Sequence, residues 1–325
     1  MSRKIIVTGG AGFIGRNLVA GLNEQGLDEI MIVDELGSTE KWRNLIGLRY
    51  EDYVDKDAFR AMIRDDKLDN VRAILHMGAC SATTEQNATY LADNNYQVTR
   101  ELCEWCLTHG ARLVYASSAA TYGDGSLGYS DRDETTPTLK PLNMYGYSKH
   151  MFDLWALKKG LFSLIAGLKY FNVYGPYEDH KGDMRSVVHK AYGQIREMGK
   201  VKLFKSYRPD YADGEQLRDF VYVRDAVAVT LYLMDHPEVS GLFNCGTGQA
   251  RSWNALARAV FAAMNREPSI EYVEMPENLR GKYQYHTEAD MTKLRESGYA
   301  APFTSLEDGI RDYVTEYLTK QQTDC

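Results

Sequence analysis

Short apolar runs and longer stretches with helical periodicity alternate along the first half of the chain. Lys4–Thr8 (KIIVT), Glu29–Val33 (EIMIV), Arg72–His76 (RAILH), Arg112–Ala116 (RLVYA) and Ser163–Tyr170 (SLIAGLKY) read as buried strands. After the first, Phe13, Ile14, Leu18 and Leu22 recur at helical spacing, and a proline-free stretch from roughly Thr84 to His109 has helical composition. Strand and helix in turn imply a parallel sheet with crossover helices. From Asn172 to about Arg218 the pattern loosens into Gly, Pro, Asp, Tyr and Lys, interrupted by a helical piece near Val187–Met198. Regularity returns with the strand Asp219–Val223, the helix Arg224–Met234 and the strand Leu242–Cys245. A last helix opens on Ser252 as N-cap and carries an apolar face of Trp253, Leu256, Ala257, Val260, Phe261 and Met264, which reads as core packing.

The expected architecture is α/β: a Rossmann-like parallel sheet with helices on both faces, plus a smaller mixed substrate-binding domain. Residues 1–171, with returning segments about 219–248, form the nucleotide-binding part; 172–325 are mainly substrate-binding, with a discontinuous boundary.

Composition narrows the function. Apolar content of 44% and charged content of 26% are ordinary for a globular protein, and no window approaches a membrane span. The start lacks a signal-like apolar region, which argues for the cytoplasm. A formal charge of −7 argues against nucleic-acid binding. Cys103 and Cys106 form an isolated CxxC within a helical pattern, with no second pair or nearby His. They are expected to be core-facing thiols, and no metal is expected.

The first strand runs into Thr8-Gly9-Gly10-Ala11-Gly12-Phe13-Ile14-Gly15, which opens the first helix. Glycines there give a tight turn, close approach to a pyrophosphate and close helix–strand packing. The helix N-terminus favours the anion. Asp34 ends the next strand about 20 residues on, where a ribose contact belongs. A dinucleotide is the implied cofactor. The Asp34 carboxylate suits a 2′-hydroxyl, while Lys41, Arg43 and Lys56 suit a 2′-phosphate, so the residues alone leave NAD and NADP open.

Tyr145 and Lys149 lie four apart and share a helix face, whereas Tyr147 points elsewhere. An ammonium beside a phenol lowers the phenol's pKa toward the working range. Such pairs also occur on ordinary amphipathic helices. Together, TGGAGFIG, YASSAATYG and Tyr145-x-x-x-Lys149 resemble the extended short-chain dehydrogenase/reductases. HMGACSATTE (His76–Glu85), DNNYQ (Asp93–Gln97), YFNVYGPYEDHKGDM (Tyr170–Met184), RDFVYVRD (Arg218–Asp225) and RGKYQYHTEAD (Arg280–Asp290) are similar to the ADP-L-glycero-D-manno-heptose 6-epimerase family.

That resemblance implies an isomerase. It would oxidise C6″ of ADP-heptose transiently to a ketone and return the hydride to the opposite face, supplying heptose for lipopolysaccharide. Ser118, Tyr145 and Lys149 would form the triad, and Lys181 of the HKG motif would be a second acid/base. The resemblance favours NADP, with Lys41 and Lys56 near the 2′-phosphate. Lys149 would also bind the nicotinamide ribose, and further cofactor contacts would fall to Gly9, Gly12, Phe13, Ile14, Gly15, Asp34, Glu35, Met77, Gly78, Ala79, Cys80, Ser81, Asn94 and Val173. Substrate contacts would fall to Asn172, Asp183, Lys190, Phe204, Lys205, Ser206, Tyr207, Arg218 and Tyr283. Asp183 and Lys190 stand where better-known members carry serine and histidine. Arg218 suits a pyrophosphate, or pairs with Asp219 or another acid. The family also implies a homo-oligomer, typically a pentamer.

A 4,6-dehydratase needs an Asp–Glu pair where this chain has Ala119 and Ala120. A UDP-hexose 4-epimerase would show the same triad without a use for Lys181. A non-catalytic NADP-binding sensor would not require Ser118, Tyr145 and Lys149 together.

Overall fold

The computed structural model describes residues 3–280 and 283–320; Gly281 and Lys282 of the Arg280–Asp290 string lie outside them. In chain order the strands are β1 (Lys4–Thr8), β2 (Ile30–Asp34), β3 (Asp52–Asp55), β4 (Val71–His76), β5 (Arg112–Ser118), β6 (Ala166–Tyr170), β7 (Asn172–Tyr174), β8 (Val201–Phe204), β9 (Leu217–Tyr222), β10 (Gly241–Cys245), β11 (Ala250–Ser252) and β12 (Ile270–Val273). Seven of them form one sheet in the order β10-β6-β5-β4-β1-β2-β3, every pairing parallel. The continuous apolar runs follow from this, because helices cover both faces of such a sheet.

The principal helices are α1 (Phe13–Glu24), α2 (Lys56–Arg64), α3 (Ala88–Leu91), α4 (Val98–His109), α5 (Met144–Lys158), α6 (Val187–Met198), α7 (Val223–Asp235) and α8 (Trp253–Ala263). Leu18 and Leu22 of α1 and Val229 and Leu233 of α7 pack on one face of the sheet. Phe59, Leu102 and Phe152 of α2, α4 and α5 pack on the other, where Cys103 and Cys106 are buried as expected. A separate core joins Ile195, Leu203, Phe220, Val260 and Phe261 to the helix Leu306–Asp312.

The Thr84–His109 stretch is not one helix. A π-helical turn, Ala92–Gln97, separates α3 from α4, and such turns re-aim side chains at functional sites. Asn95 in it is buried and grips the Cys80 backbone at both N–H and C=O, each at 2.9 Å. The strand expected at Asp219–Val223 is β9, in a three-stranded sheet with β11 and β7, while β10 extends the main sheet beside β6. β3, α2 and β12 had no clear apolar signature: β3 reads DYVD and faces solvent at both ends.

Arg112, at the start of β5, fastens the chain that leads from α7 into β10. Its guanidinium donates to the carbonyls of Leu233 (3.0 Å), Val239 (2.6 Å) and Leu164 (3.2 Å) and to Ser240 Oγ (2.8 Å). Arg112→Ala removes a buried guanidinium together with these bonds and is expected to destabilise the fold by about 2–4 kcal/mol, read by urea denaturation.

Candidate functional site

The carboxyl ends of β1, β2, β4, β5 and β6 open onto a cleft, the place where open parallel sheets bind ligands. Its larger chamber, about 840 Å³, is lined by the glycine loop, the β4 and β5 ends, Tyr145, Lys149, and the segments around Asn172 and Lys181. A side chamber of about 430 Å³ lies beyond Asp34, between α2 and α4.

The loop is built by close approach. Gly9 has φ +68°, and a Cβ there would meet Gly78 N at 2.8 Å. A Cβ on Gly15 would lie 2.1 Å from Gly9 O, closer than any side chain permits. Gly12 caps α1 without a side-chain bond, so the first N–H groups of the helix face the cleft uncapped. This bare cradle fits a pyrophosphate. Asp34 is partly committed to the fold: Oδ2 accepts from Ala11 N at 2.9 Å, while Oδ1 accepts from Glu35 N (2.7 Å) and pairs with Lys41 Nζ at 2.5 Å. Lys56 pairs with Glu35 at 2.5 Å. Two carboxylates and two ammoniums thus ring the end of the cleft where the sequence predicts the ribose.

Tyr145 reaches the cleft because α5 starts against the end of β5. Asn143 Oδ1 caps the helix at Gly146 N (2.8 Å), and Gly146 sits so near Ala120 that a Cβ would meet its carbonyl at 2.8 Å. This brings Tyr145 into the same chamber as Ser118, near enough for the serine to favour the phenolate. Lys149, one turn on, is buried at 4% exposure and also lines the chamber, while Tyr147 is exposed. The expected lowering of the tyrosine pKa by Lys149 is not what the site shows. Burial raises the phenol above its ordinary value, only partly opposed by the Ser118 bond. Burial also pulls Lys149 down to about 8, with Asp153 opposing. Apolar surroundings penalise phenolate and ammonium alike.

Lys181 enters from a 3-10 turn, Asp179–Met184, and its Nζ stands 5.0 Å from the centre of the Phe13 ring. Burial lowers its pKa against the opposing pull of Glu178. Glu178 is itself fully buried, accepting from Ser186 Oγ (2.6 Å) and Tyr313 (3.1 Å), and so anchors the turn.

Of the sequence-predicted cofactor residues, Gly9, Gly12, Phe13, Ile14, Gly15, Asp34, Glu35, Lys41, Met77, Gly78, Ala79, Cys80, Ser81 and Val173 line the larger chamber. Lys56 and Asn94 line the side chamber. The substrate set divides. Asn172 lines the larger chamber; Asp183, Lys190, Phe204, Lys205, Ser206, Tyr207, Arg218 and Tyr283 do not. Lys190 Nζ donates to Asp183 O at 2.6 Å, and both residues are exposed. Lys205 and Tyr207 are held on Glu274, and Ser206 N bonds Asp213 at 2.7 Å. Their loop is thus held by Asp213 within it and by Glu274 just after β12.

Arg218 lies behind the chamber wall. It is buried yet forms no ion pair among the described residues, donating to the carbonyls of Leu217 (2.7 Å) and Gln284. It does not pair with Asp219, whose carboxylate is taken by Thr247, Gly248 and Ala289. Its guanidinium lies 5.0 Å from the Tyr283 ring centre and 5.6 Å from Trp253. Trp253 corrects a sequence reading. It is half-buried, lines the chamber and donates from Nε1 to Tyr283 Oη at 2.8 Å, rather than packing only in the core. Phe220, Leu256, His180 and Met184 also line the chamber; their apolar or loop context gave no signal in sequence.

Comparison with known proteins agrees with this architecture. Residues 5–246 match the model of the NAD dependent epimerase/dehydratase family. A Nitratidesulfovibrio vulgaris (strain DP4) protein named ADP-L-glycero-D-manno-heptose-6-epimerase is 59% identical over 314 residues, spanning 96% of this chain and 97% of its own. The crystal structure of Helicobacter pylori ADP-L-glycero-D-manno-heptose-6-epimerase superposes with TM-score 0.82 at 30% identity, covering 97% of this chain and 96% of that one. Thermus thermophilus UDP-glucose 4-epimerase, solved as a complex with NAD, superposes with TM-score 0.75 at 26% identity, covering 96% and 97%. The family match and this NAD-bound neighbour together indicate a nicotinamide cofactor. The chain is a member of the ADP-L-glycero-D-manno-heptose-6-epimerase family, within the wider NAD dependent epimerase/dehydratase family.

Proposed function

We propose that this nucleotide-sugar epimerase interconverts ADP-D-glycero- and ADP-L-glycero-D-manno-heptose by transient oxidation at C6″, using NADP, in supply of heptose for lipopolysaccharide. The observation that carries the reading is that two proton-handling side chains, Tyr145 from α5 and Lys181 from the 179–184 turn, line one chamber. When bound, the nicotinamide cofactor supplies hydride acceptance and return. Ser118 orients the reacting oxygen, and Tyr145 takes or returns its proton. Lys149 keeps a cation beneath the cleft. Lys181, partly desolvated, serves the same oxygen when the substrate presents its other face. Arg218, buried without an acid among the described residues, would meet the diphosphate once Trp253 and Tyr283 shift. Lys41 and Lys56 support the choice of NADP, since a 2′-phosphate would take over ammoniums now held by Asp34 and Glu35. The enzyme is expected to act in the cytoplasm as a homo-oligomer.

The deciding experiment offers ADP-D-glycero-D-manno-heptose and UDP-galactose side by side to wild type, Tyr145→Phe and Lys181→Met, after identifying the cofactor released from the purified protein. Wild type should convert the heptose only. Each variant should lose at least about 100-fold in kcat while keeping cofactor. Turnover of UDP-galactose alone sinks the heptose assignment, and a near-normal rate in Lys181→Met removes that lysine from the mechanism.

Arg218→Ala should raise KM for the ADP-sugar by about tenfold or more with a smaller change in kcat, since a uniform diphosphate contact is lost. An unchanged KM would show that the guanidinium serves only the fold.

Lys149→Met should abolish turnover and yet stabilise the protein at pH 7 by about 1–3 kcal/mol, measured by thermal unfolding. The folded pKa, about 8, lies below the ordinary 10.5. Between these values the unfolded chain binds the proton that the folded one lacks. Wild-type stability therefore gains with rising pH across that window, and the variant's lead shrinks.

A further inference from the structure

Asn44 occupies an unusual junction. It is buried at 6% exposure on the 3-10 turn Glu40–Leu45, the turn that also presents Lys41 to Asp34. Its Nδ2 has two hydrogens for three acceptors in reach, and the two nearer are Ala11 O in the glycine loop (2.9 Å) and His180 Nδ1 (3.1 Å), with Tyr177 O farther at 3.3 Å. An amide nitrogen only donates, so His180 accepts there and carries its proton on Nε2. His180 immediately precedes Lys181. One amide thus touches the loop under the pyrophosphate site, the turn at the ribose end and the turn carrying Lys181.

The segment it holds is conformationally committed. Tyr177 has φ +72°, a left-handed backbone that is costly for a bulky side chain and needs fixing from outside. Arg16 covers its ring at 3.5 Å, and Asn17 Nδ2 bonds both Phe13 O (2.8 Å) and Pro176 O (3.1 Å). These contacts fix where the segment leaves α1. Asn44 is the contact that also reaches the ribose end.

We infer that Asn44 is a positioning residue that couples occupancy of the ribose end of the cleft to the placement of Lys181. A phosphate or ribose drawing Lys41 moves the 40–45 turn as a unit, and the Asn44–His180 bond passes that movement to the Lys181 turn. The inference rests on the reading that Lys41 faces the cofactor ribose and that Lys181 handles a proton.

The test needs no turnover. Lysines are acylated with limiting acetic anhydride, and the rate at each site is read by mass spectrometry. The measurement is made with and without adenosine 2′,5′-bisphosphate or 5′-AMP, which fill the ribose end but carry no nicotinamide. Protection of Lys41 reports that the probe is bound. In wild type the bound probe should slow acylation of Lys181 by about fivefold, a typical coupling between sites. In Asn44→Ala and in His180→Ala, which cuts the same contact from the other side, the probe should bind while the Lys181 rate stays unchanged. A wild-type Lys181 rate that ignores a bound probe overturns the inference. So does a response retained in either folded variant, or failure of both probes to bind at millimolar concentration. Loss of heptose turnover as an assignment would show separately in the substrate comparison and leaves the acylation result standing.

Discussion

The site depends on how closely backbone approaches backbone at the start of α1. With Gly15 against the Gly9 carbonyl and Gly9 against Gly78, the helix, β1 and β4 meet at distances that no side chain tolerates. That proximity leaves uncapped N–H groups facing open space and sets Phe13 where the Lys181 ammonium stands over its ring. The close approach also aligns the strand ends, so that Asp34, Gly78, Ser118 and Asn172 border one cleft. A methyl group on Gly15 would push the helix away and separate these groups together.

In the cleft and behind its wall, cationic groups sit under conditions that disfavour charge. Burial dominates at Lys149, Lys181 and Arg218, lowering each below its ordinary value. Arg218 lacks an acidic partner among the described residues, and Lys41 and Lys56 are matched one to one by carboxylates at the cleft edge. Such an arrangement costs stability in the free protein and is offset when an anionic ligand arrives. An anionic dinucleotide and a diphosphate-linked sugar are ligands of the charge it requires. Burial also favours the neutral phenol at Tyr145.

Much of the fold was legible in the chain because parallel strands covered on both faces must be apolar throughout. β1, β2, β4, β5 and β6 all carried that mark. β3 did not, since an edge strand reading DYVD has no core to satisfy on its outer side. The break between α3 and α4 also left no trace, because a π-helical turn needs no special residue and is stabilised by Asn95 gripping Cys80. In the site, the glycine loop and the Tyr145–Lys149 pair were legible since their spacing is local. Trp253 was not, because its amphipathic pattern marks which face is covered and not what covers it.

The sequence by itself determined a parallel α/β sheet, a glycine loop at the mouth of α1 and a tyrosine–lysine pair on one helix face. Each follows from contacts within a few residues or one turn, where backbone geometry fixes the outcome. The tertiary structure alone decided that Ser118 meets Tyr145, that Lys181 enters the same chamber, and that Arg218 stands apart from Asp219. It also decided that Asn44, on the turn that carries Lys41, meets His180 beside Lys181 across 136 positions of sequence. Those contacts depend on where strand ends and returning loops come to rest when three hydrophobic cores pack together, and no local pattern in the chain encodes that position.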